Sequence, residues 1–346
     1  MSLVMIEGFT FTGGASANAN MAGFYAGKWD VATSLRRISS GRTGTSVQAD
    51  NSGALMLKKI LTASEKDDVL VVGYALQGST AGSGITLWGD NGVTAHLTVA
   101  FAGGQLAAYR GTAAGTLLGT TTGLSFATWH YVEVKAKLHD SAGYVEIWVD
   151  EVNALTLTGV DTRNGGTDAN FDAVSFQCGS GSSSFFLDDI YILNEQGSVN
   201  NDRLGVCYVT SISPTGAGSS TQWTPSTGSN WDCVNDPTST THASDYVTAA
   251  ADDLLDLYTV SDVTLAATEQ IKGVLFDAYA QKSDIGAREI AIACKSGGTT
   301  DVGADQALEP LSYRHRFGLW ETDPATGALW TQSGLNGAEF GYKSRS

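Results

Sequence analysis

Carboxylates and aromatic rings are the chemistry-bearing residues of this chain, and they meet most closely in Tyr144-Val145-Glu146-Ile147-Trp148-Val149-Asp150. Tyr144, Glu146, Trp148 and Asp150 share one parity, so an extended backbone puts them on one face. Such a face suits two chemistries. Glycoside hydrolysis needs two carboxylates roughly 5–10 Å apart, flanking one bond. Sugar or partner contact needs only flat rings with polar neighbours. The carboxylate geometry argues against hydrolysis. Asp150 falls at a turn, and the adjacent acids Asp67-Asp68, Asp150-Glu151, Asp188-Asp189 and Asp252-Asp253 point to opposite faces if extended. The chain therefore reads as non-enzymatic. Tyr144, Glu146 and Trp148 are contact residues, for a glycan or for a neighbouring subunit or loop. Trp223 and Trp231, in a long loop, pose the same question, with tying down that loop as their ordinary role. Histidines at 96, 130, 139, 242 and 315 form no ligand cluster. No Gly-X-Ser-X-Gly elbow occurs, and GFYAGK at 23–28 is one residue short of a phosphate loop.

The elements that would position these residues are strands. Val132, Val134, Ala136 and Leu138 alternate with Tyr131, Glu133, Lys135 and Lys137. After a polar turn, Val145, Ile147 and Val149 alternate with Tyr144, Glu146 and Trp148. A period of two predicts an antiparallel pair with its valines inward. VLVVGYAL at 69–76 is almost wholly apolar and predicts a strand buried on both faces. Gly89-Asp90-Asn91-Gly92 predicts a hairpin turn. Phe171–Gln177 and Phe185–Leu193 close the first half. On the last of these, Asp188 shares parity with Phe186, Ile190 and Ile192. A carboxylate there needs a partner: Arg42, a backbone amide or an indole. The polar break Asn194–Asp202 divides residues 1–196 from 197–346. The second half predicts strands at Leu204–Ile212, Asp252–Val260, Ile271–Gln281, Arg288–Lys295, Tyr313–Glu321 and Phe340–Arg345. It also predicts loops at Ser213–Asp236 and Ser296–Asp305, and one helical turn within Thr331–Ala338. Short strands without helical periodicity define an all-β chain of two β-sandwich domains.

The totals agree. At 346 residues, two domains are the natural prior. Residues 1–196 carry 11 basic and 18 acidic side chains, hence −7, and residues 197–346 carry 9 and 18, hence −9. Without a basic stripe, nucleic acid is excluded as a partner. No apolar run reaches the roughly 20 residues of a membrane helix, so insertion is not expected. Cys178, Cys207, Cys233 and Cys294 fit neither a disulfide framework nor a zinc site. Free thiols are expected, with a Cys207–Cys233 bridge as the alternative.

MIEGFTF, WHYVEVKAKL…GYVEIWVDEV and FFLDDIYIL resemble strands of the concanavalin A-like (laminin-G-like) jelly rolls. The series FLDDIYIL, NNDRLG, TQWTPSTGSNWDCVND, LWETDPATGALWT and LNGAEFGYK resembles virion proteins of tailed bacteriophages. The resemblance implies a concanavalin A-like jelly roll over 1–196 and a virion assembly domain over 197–346. It implies a non-enzymatic structural protein made in the bacterial host cytoplasm and carried on the virion surface. Head decoration, head fibre or tail appendage are its implied places. Its implied partners are itself, as a homotrimer, and capsid or tail proteins. The alternative is an adsorption module binding host surface polysaccharide, and a glycoside hydrolase stands third. No cofactor is required. Because jelly rolls often bind calcium through loop carboxylates, Asp90, Asp172 and Asp188 are the calcium candidates.

Overall fold

The computed structural model describes the chain apart from residues 10–24, 26, 34, 39–40, 50–54, 79–80, 126, 178–184 and 236–243. It is an all-β protein of two compact units, one reaching Thr210 and the other spanning Ser211–Ser346.

The first unit is a jelly-roll-like sandwich. Its strands are β1 (Leu3–Glu7), β2 (Val31–Ala32), β3 (Leu35–Ile38), β4 (Ser46–Ala49), β5 (Leu55–Ile60), β6 (Val69–Gln77), β7 (Gly84–Gly89), β8 (Thr94–Ala102), β9 (Gln105–Arg110), β10 (Thr116–Thr120), β11 (His130–Lys137), β12 (Gly143–Val149), β13 (Val152–Val160), β14 (Ala173–Gln177) and β15 (Phe186–Asn194). One sheet runs β13-β12-β11-β6-β15-β4-β3, with β1 also paired to β15. The other runs β10-β9-β8-β7-β14-β5-β2. The predicted inward face holds: Val132, Val134, Val145, Ile147 and Val149 lie in the core with Ile85, Leu87, Leu97, Val99 and Phe176 of the facing sheet. Burying each such side chain contributes about 1.5–3 kcal/mol. Strand β6 is buried on both faces, as its composition predicts. At the hairpin turn, Asp90, Asn91 and Gly92 all take positive φ. The β12–β13 turn does the same with Asp150 and Glu151, and Asp150 accepts from the Tyr131 amide at 2.9 Å.

The second unit holds β16 (Pro214–Thr221), β17 (Thr224–Pro225), β18 (Val247–Thr248), β19 (Leu255–Val260), β20 (Val274–Ala280), β21 (Glu289–Ser296), β22 (Thr299–Ala307), β23 (Arg314–Trp320), the helical turn α1 (Gln332–Asn336) and β24 (Glu339–Arg345). A five-stranded sheet β16-β19-β24-β21-β22 accompanies the ribbons β17-β18 and β20-β23. Tyr258, Ile292, Trp320, Trp330 and Phe340 centre its core. The helical turn is where expected, with the Thr331 hydroxyl accepting from the Gly334 amide at 3.0 Å.

Three expectations fail for identifiable reasons. Residues 299–307 and 214–221, read as loops, are the two edge strands of the five-stranded sheet. Both are largely polar, so no buried stripe announces them. Residues 204–212, read as a strand, join no ladder. Residues 197–210, assigned by the polar break to the second domain, belong to the first unit.

Candidate functional site

The outer face of the first sheet carries the residues that composition singled out. Cross-strand register sets Asn153 opposite Trp148, Trp148 opposite Glu133, Glu133 opposite Gly73 and Gly73 opposite Tyr191. These five positions form one row across β13, β12, β11, β6 and β15, about 19 Å long at the usual strand spacing. Glycine is required at 73: a Cβ there would stand 2.1 Å from the Tyr191 ring, which lies across it toward Glu133.

At the β12–β13 end this face is partly open. Tyr144, Glu146 and Trp148 are half-buried, while Asn153, Thr156 and Thr158 opposite them are exposed. The Trp148 indole N–H donates to Glu146 Oε2 at 3.3 Å. Burial, opposed by Lys135, pushes the Tyr144 phenol up to about 12. Lys135 itself ion-pairs with Glu195 at 2.6 Å and Asp202 at 3.1 Å. Burial draws the Lys135 pKa down, but those hydrogen bonds outweigh it and the ammonium is held above its ordinary value.

Toward β15 the same face is covered by residues 202–209, a strap that explains why 204–212 forms no strand. Its backbone amides bond to side chains of the sheet. Gly205 donates to Glu133 Oε1 at 3.0 Å, Leu204 to the Tyr191 hydroxyl at 3.2 Å and Val209 to Asp189 Oδ1 at 2.9 Å. Arg203 donates to Glu133 Oε2 at 2.8 Å and lays its guanidinium 3.5 Å from the centre of the Trp148 ring. Arg42 donates to Asp189 Oδ2 at 2.9 Å and to the Cys207 carbonyl at 2.7 Å, and stacks on Tyr208 at 3.9 Å. The Tyr191 hydroxyl also donates to Glu133. Tyr131, Glu133 and Tyr191, on the polar parity of their strands, are therefore only 2%, 1% and 2% exposed. Arg203 and Tyr191 escaped the sequence reading, which placed Glu133 only on the outward face, Asp189 only in an acidic pair and Arg42 only as a possible partner of Asp188. Alternation tells which face a residue takes, not what lies over it.

The remaining candidates have local structural roles. Trp223 and Trp231 belong to the second unit. Trp223 donates to the Leu254 carbonyl at 3.0 Å and meets Tyr342 edge-on at 4.6 Å, which ties its loop down. Trp231 begins the short 3-10 turn Asp232–Val234 and packs against that unit's core. Of the calcium candidates, Asp172 accepts from the amides of Asn91 at 2.5 Å and Gly92 at 3.0 Å, holding the hairpin turn. Asp90 is a turn residue with φ 52°. Asp188 accepts from the amides of Arg42 at 2.9 Å and Asp189 at 2.9 Å, so of its three candidate partners it has backbone amides. Among the described residues, no three His, Cys, Asp or Glu side chains converge as metal ligands. Cys233 and Cys294 are free thiols and Cys207 is not bridged to Cys233, so the alternative bridge is not formed; Cys178 lies outside the described residues.

No family model matches the sequence, and no curated protein matches it. Solved structures do resemble it. An endo-β-1,4-glucuronan lyase from the fungus Trichoderma reesei aligns over 56% of this chain and 95% of its own, at 12% identity and TM-score 0.37. The binding domain of Paraclostridial Mosquitocidal Protein 1 aligns over 56% of this chain and 48% of its own, at 10% identity and TM-score 0.37. An alginate lyase aligns over 56% of this chain and 96% of its own, at 14% identity and TM-score 0.31. At these values the likeness transfers no residue role. It does correct one expectation: the neighbours are polysaccharide lyases, sialidases and binding domains, so the reading as a virion structural protein that acts by assembly is withdrawn.

Proposed function

We propose that the first unit binds a carbohydrate chain along the outer face of β12 and β13, as a module for adsorption to surface polysaccharide. One observation carries this reading. Tyr144, Glu146 and Trp148 line one strip, with the exposed amide and hydroxyl side chains of Asn153, Thr156 and Thr158 beside it. Two aromatic residues four positions apart on a strand sit about 13 Å apart. That spacing seats separate rings of an extended sugar chain, with a carboxylate between them to accept hydroxyl protons. The resemblance of the C-terminal phrases to virion proteins supports a host-surface glycan as the target.

Binding without cleavage fits the carboxylates. Hydrolysis needs a second acid facing the same bond. Glu133, diagonal to Glu146 across the strand pair, is engaged by Arg203, Gly205 and Tyr191. The test is a glycan array of neutral and uronate-containing polysaccharides, probed with the full chain and with Trp148→Ala. Retention on at least one polysaccharide, weakened tenfold or more by the substitution, is expected. Equal retention of both proteins, or none of either, rejects the reading.

A further inference from the structure

The strap occupies the place where the row of Asn153, Trp148, Glu133, Gly73 and Tyr191 would continue as a groove. Three features mark it as an occupant rather than a wall. First, the guanidinium carbon of Arg203 stands over the Trp148 ring, 3.5 Å from its centre. That is the surface on which a sugar ring would stack, and a guanidinium and a sugar cannot share one ring face. Second, the groups beneath the strap are those a glycan would use. Glu133 offers a carboxylate, and Tyr131 and Tyr191 form a stacked pair with centroids 6.4 Å apart. Third, the strap is held by side-chain acceptors rather than by a strand ladder. Glu133 and Asp189 accept its amides at 3.0 Å and 2.9 Å, and sugar hydroxyls are donors of the same kind.

Resting on the carbohydrate reading, we propose that residues 202–209 are a displaceable cover over the inner half of the glycan groove, with Arg203 competing for the Trp148 ring. A chain long enough to cross β12, β11, β6 and β15 would lift the strap. One confined to the β12–β13 edge would need only to move Arg203. In either case apparent affinity is reduced by the fraction of molecules in which the cover is open. Arg203 thus lowers affinity, whereas a residue that positioned Trp148 for binding would raise it, and the sign of the effect separates the two.

The experiment uses the full chain, with arabinan as a neutral probe and alginate as an anionic one, in affinity electrophoresis. Arg203→Ala is expected to bind whichever probe the wild type retains about tenfold more tightly, while Trp148→Ala loses retention. Arg203→Lys, which keeps the charge but not the flat stacking surface, should fall between wild type and Arg203→Ala. Because removing Arg203 also strips a partner from Glu133, a second measurement uses the wild type alone. Amide hydrogen exchange at Leu204, Gly205 and Val209 should accelerate when the retained probe is added. Equal or weaker binding by Arg203→Ala, with slower or unchanged exchange on adding the probe, overturns the cover and leaves the carbohydrate reading standing. Failure of both wild type and Arg203→Ala to bind either probe or any polysaccharide of the array overturns both.

Discussion

Asp188 shows most directly how one residue's surroundings become a measurable property of the whole unit. Its side chain is 0% exposed and faces the amides of Arg42, Thr43 and Asp189. Burial first, and the neighbouring Asp189 carboxylate second, push its pKa up to about 7 against an ordinary 3.8; the three amides pull the other way and lose. The sign follows from linkage. Between those two values the folded chain holds a proton that the unfolded chain has released, so stability falls as pH rises through the window. The slope from this group is at most about 1.4 kcal/mol per pH unit. The first unit should therefore melt at a lower temperature at pH 7 than at pH 5, as followed by circular dichroism. Asp188→Asn should remove this component of the pH dependence. It should also melt lower at both values, because its amide nitrogen would face backbone donors in place of an acceptor. A wild-type profile no steeper than that of Asp188→Asn would show that the carboxyl is not the titrating group. Asp188 was legible as a buried acid in need of a partner. The choice among Arg42, an amide and an indole was not, because it depends on a bulge that turns Asp189 into positive φ.

At the level of elements, the β11–β12 pair was readable because alternation reports burial directly: every inward valine is in the core. Tyr144 and Trp148 were placed on the correct face for the same reason. Tyr131 and Glu133 share that face, yet they are covered by a strap whose hydrogen bonds to Glu133 reach back 70 and 72 residues, and no local pattern records such contacts. The strap misleads in its own right. LGVCYVTSI is apolar enough to be a strand, but its amides find side-chain acceptors instead of a ladder. Conversely, TTDVGADQA is a strand with little burial, and a wet edge strand has no apolar face to read. Strand β6 links these observations, since Gly73 is the gap that lets Tyr191 lie over the sheet and reach Glu133. Gly73→Ala would drive a methyl group into that ring. It should cost about 1–3 kcal/mol, the range for overpacking a filled site, read as a shift in the urea midpoint. Strap amides should exchange faster in the variant, because Tyr191 is an acceptor for Leu204. Unchanged stability would mean that the ring has room to move aside.

Over the whole molecule, two cores rather than one carry the stability. The buried cluster of the first unit contains residues up to Ile192, and that of the second begins at Tyr258, with no residue in common among those described. Negative charge is likewise divided, −7 and −9 in the two halves of the sequence, so neither half neutralises the other. Folding energetics should accordingly separate. Calorimetry of the full chain is expected to show two transitions. Ile147→Ala, in the first core, should lower one of them at a cost of about 2–5 kcal/mol, and Phe340→Ala, in the second, should lower the other by about 3–5 kcal/mol. Each substitution should leave the remaining transition in place, because sites without shared partners add independently. The glycan reading supplies an internal control. A polysaccharide bound at Trp148 should raise only the transition that Ile147→Ala lowers, since a ligand stabilises the unit whose folded state it binds. If the bound probe raised the transition lowered by Phe340→Ala instead, the binding face would belong to the second unit, and the strip on β12 and β13 would be the wrong place to look.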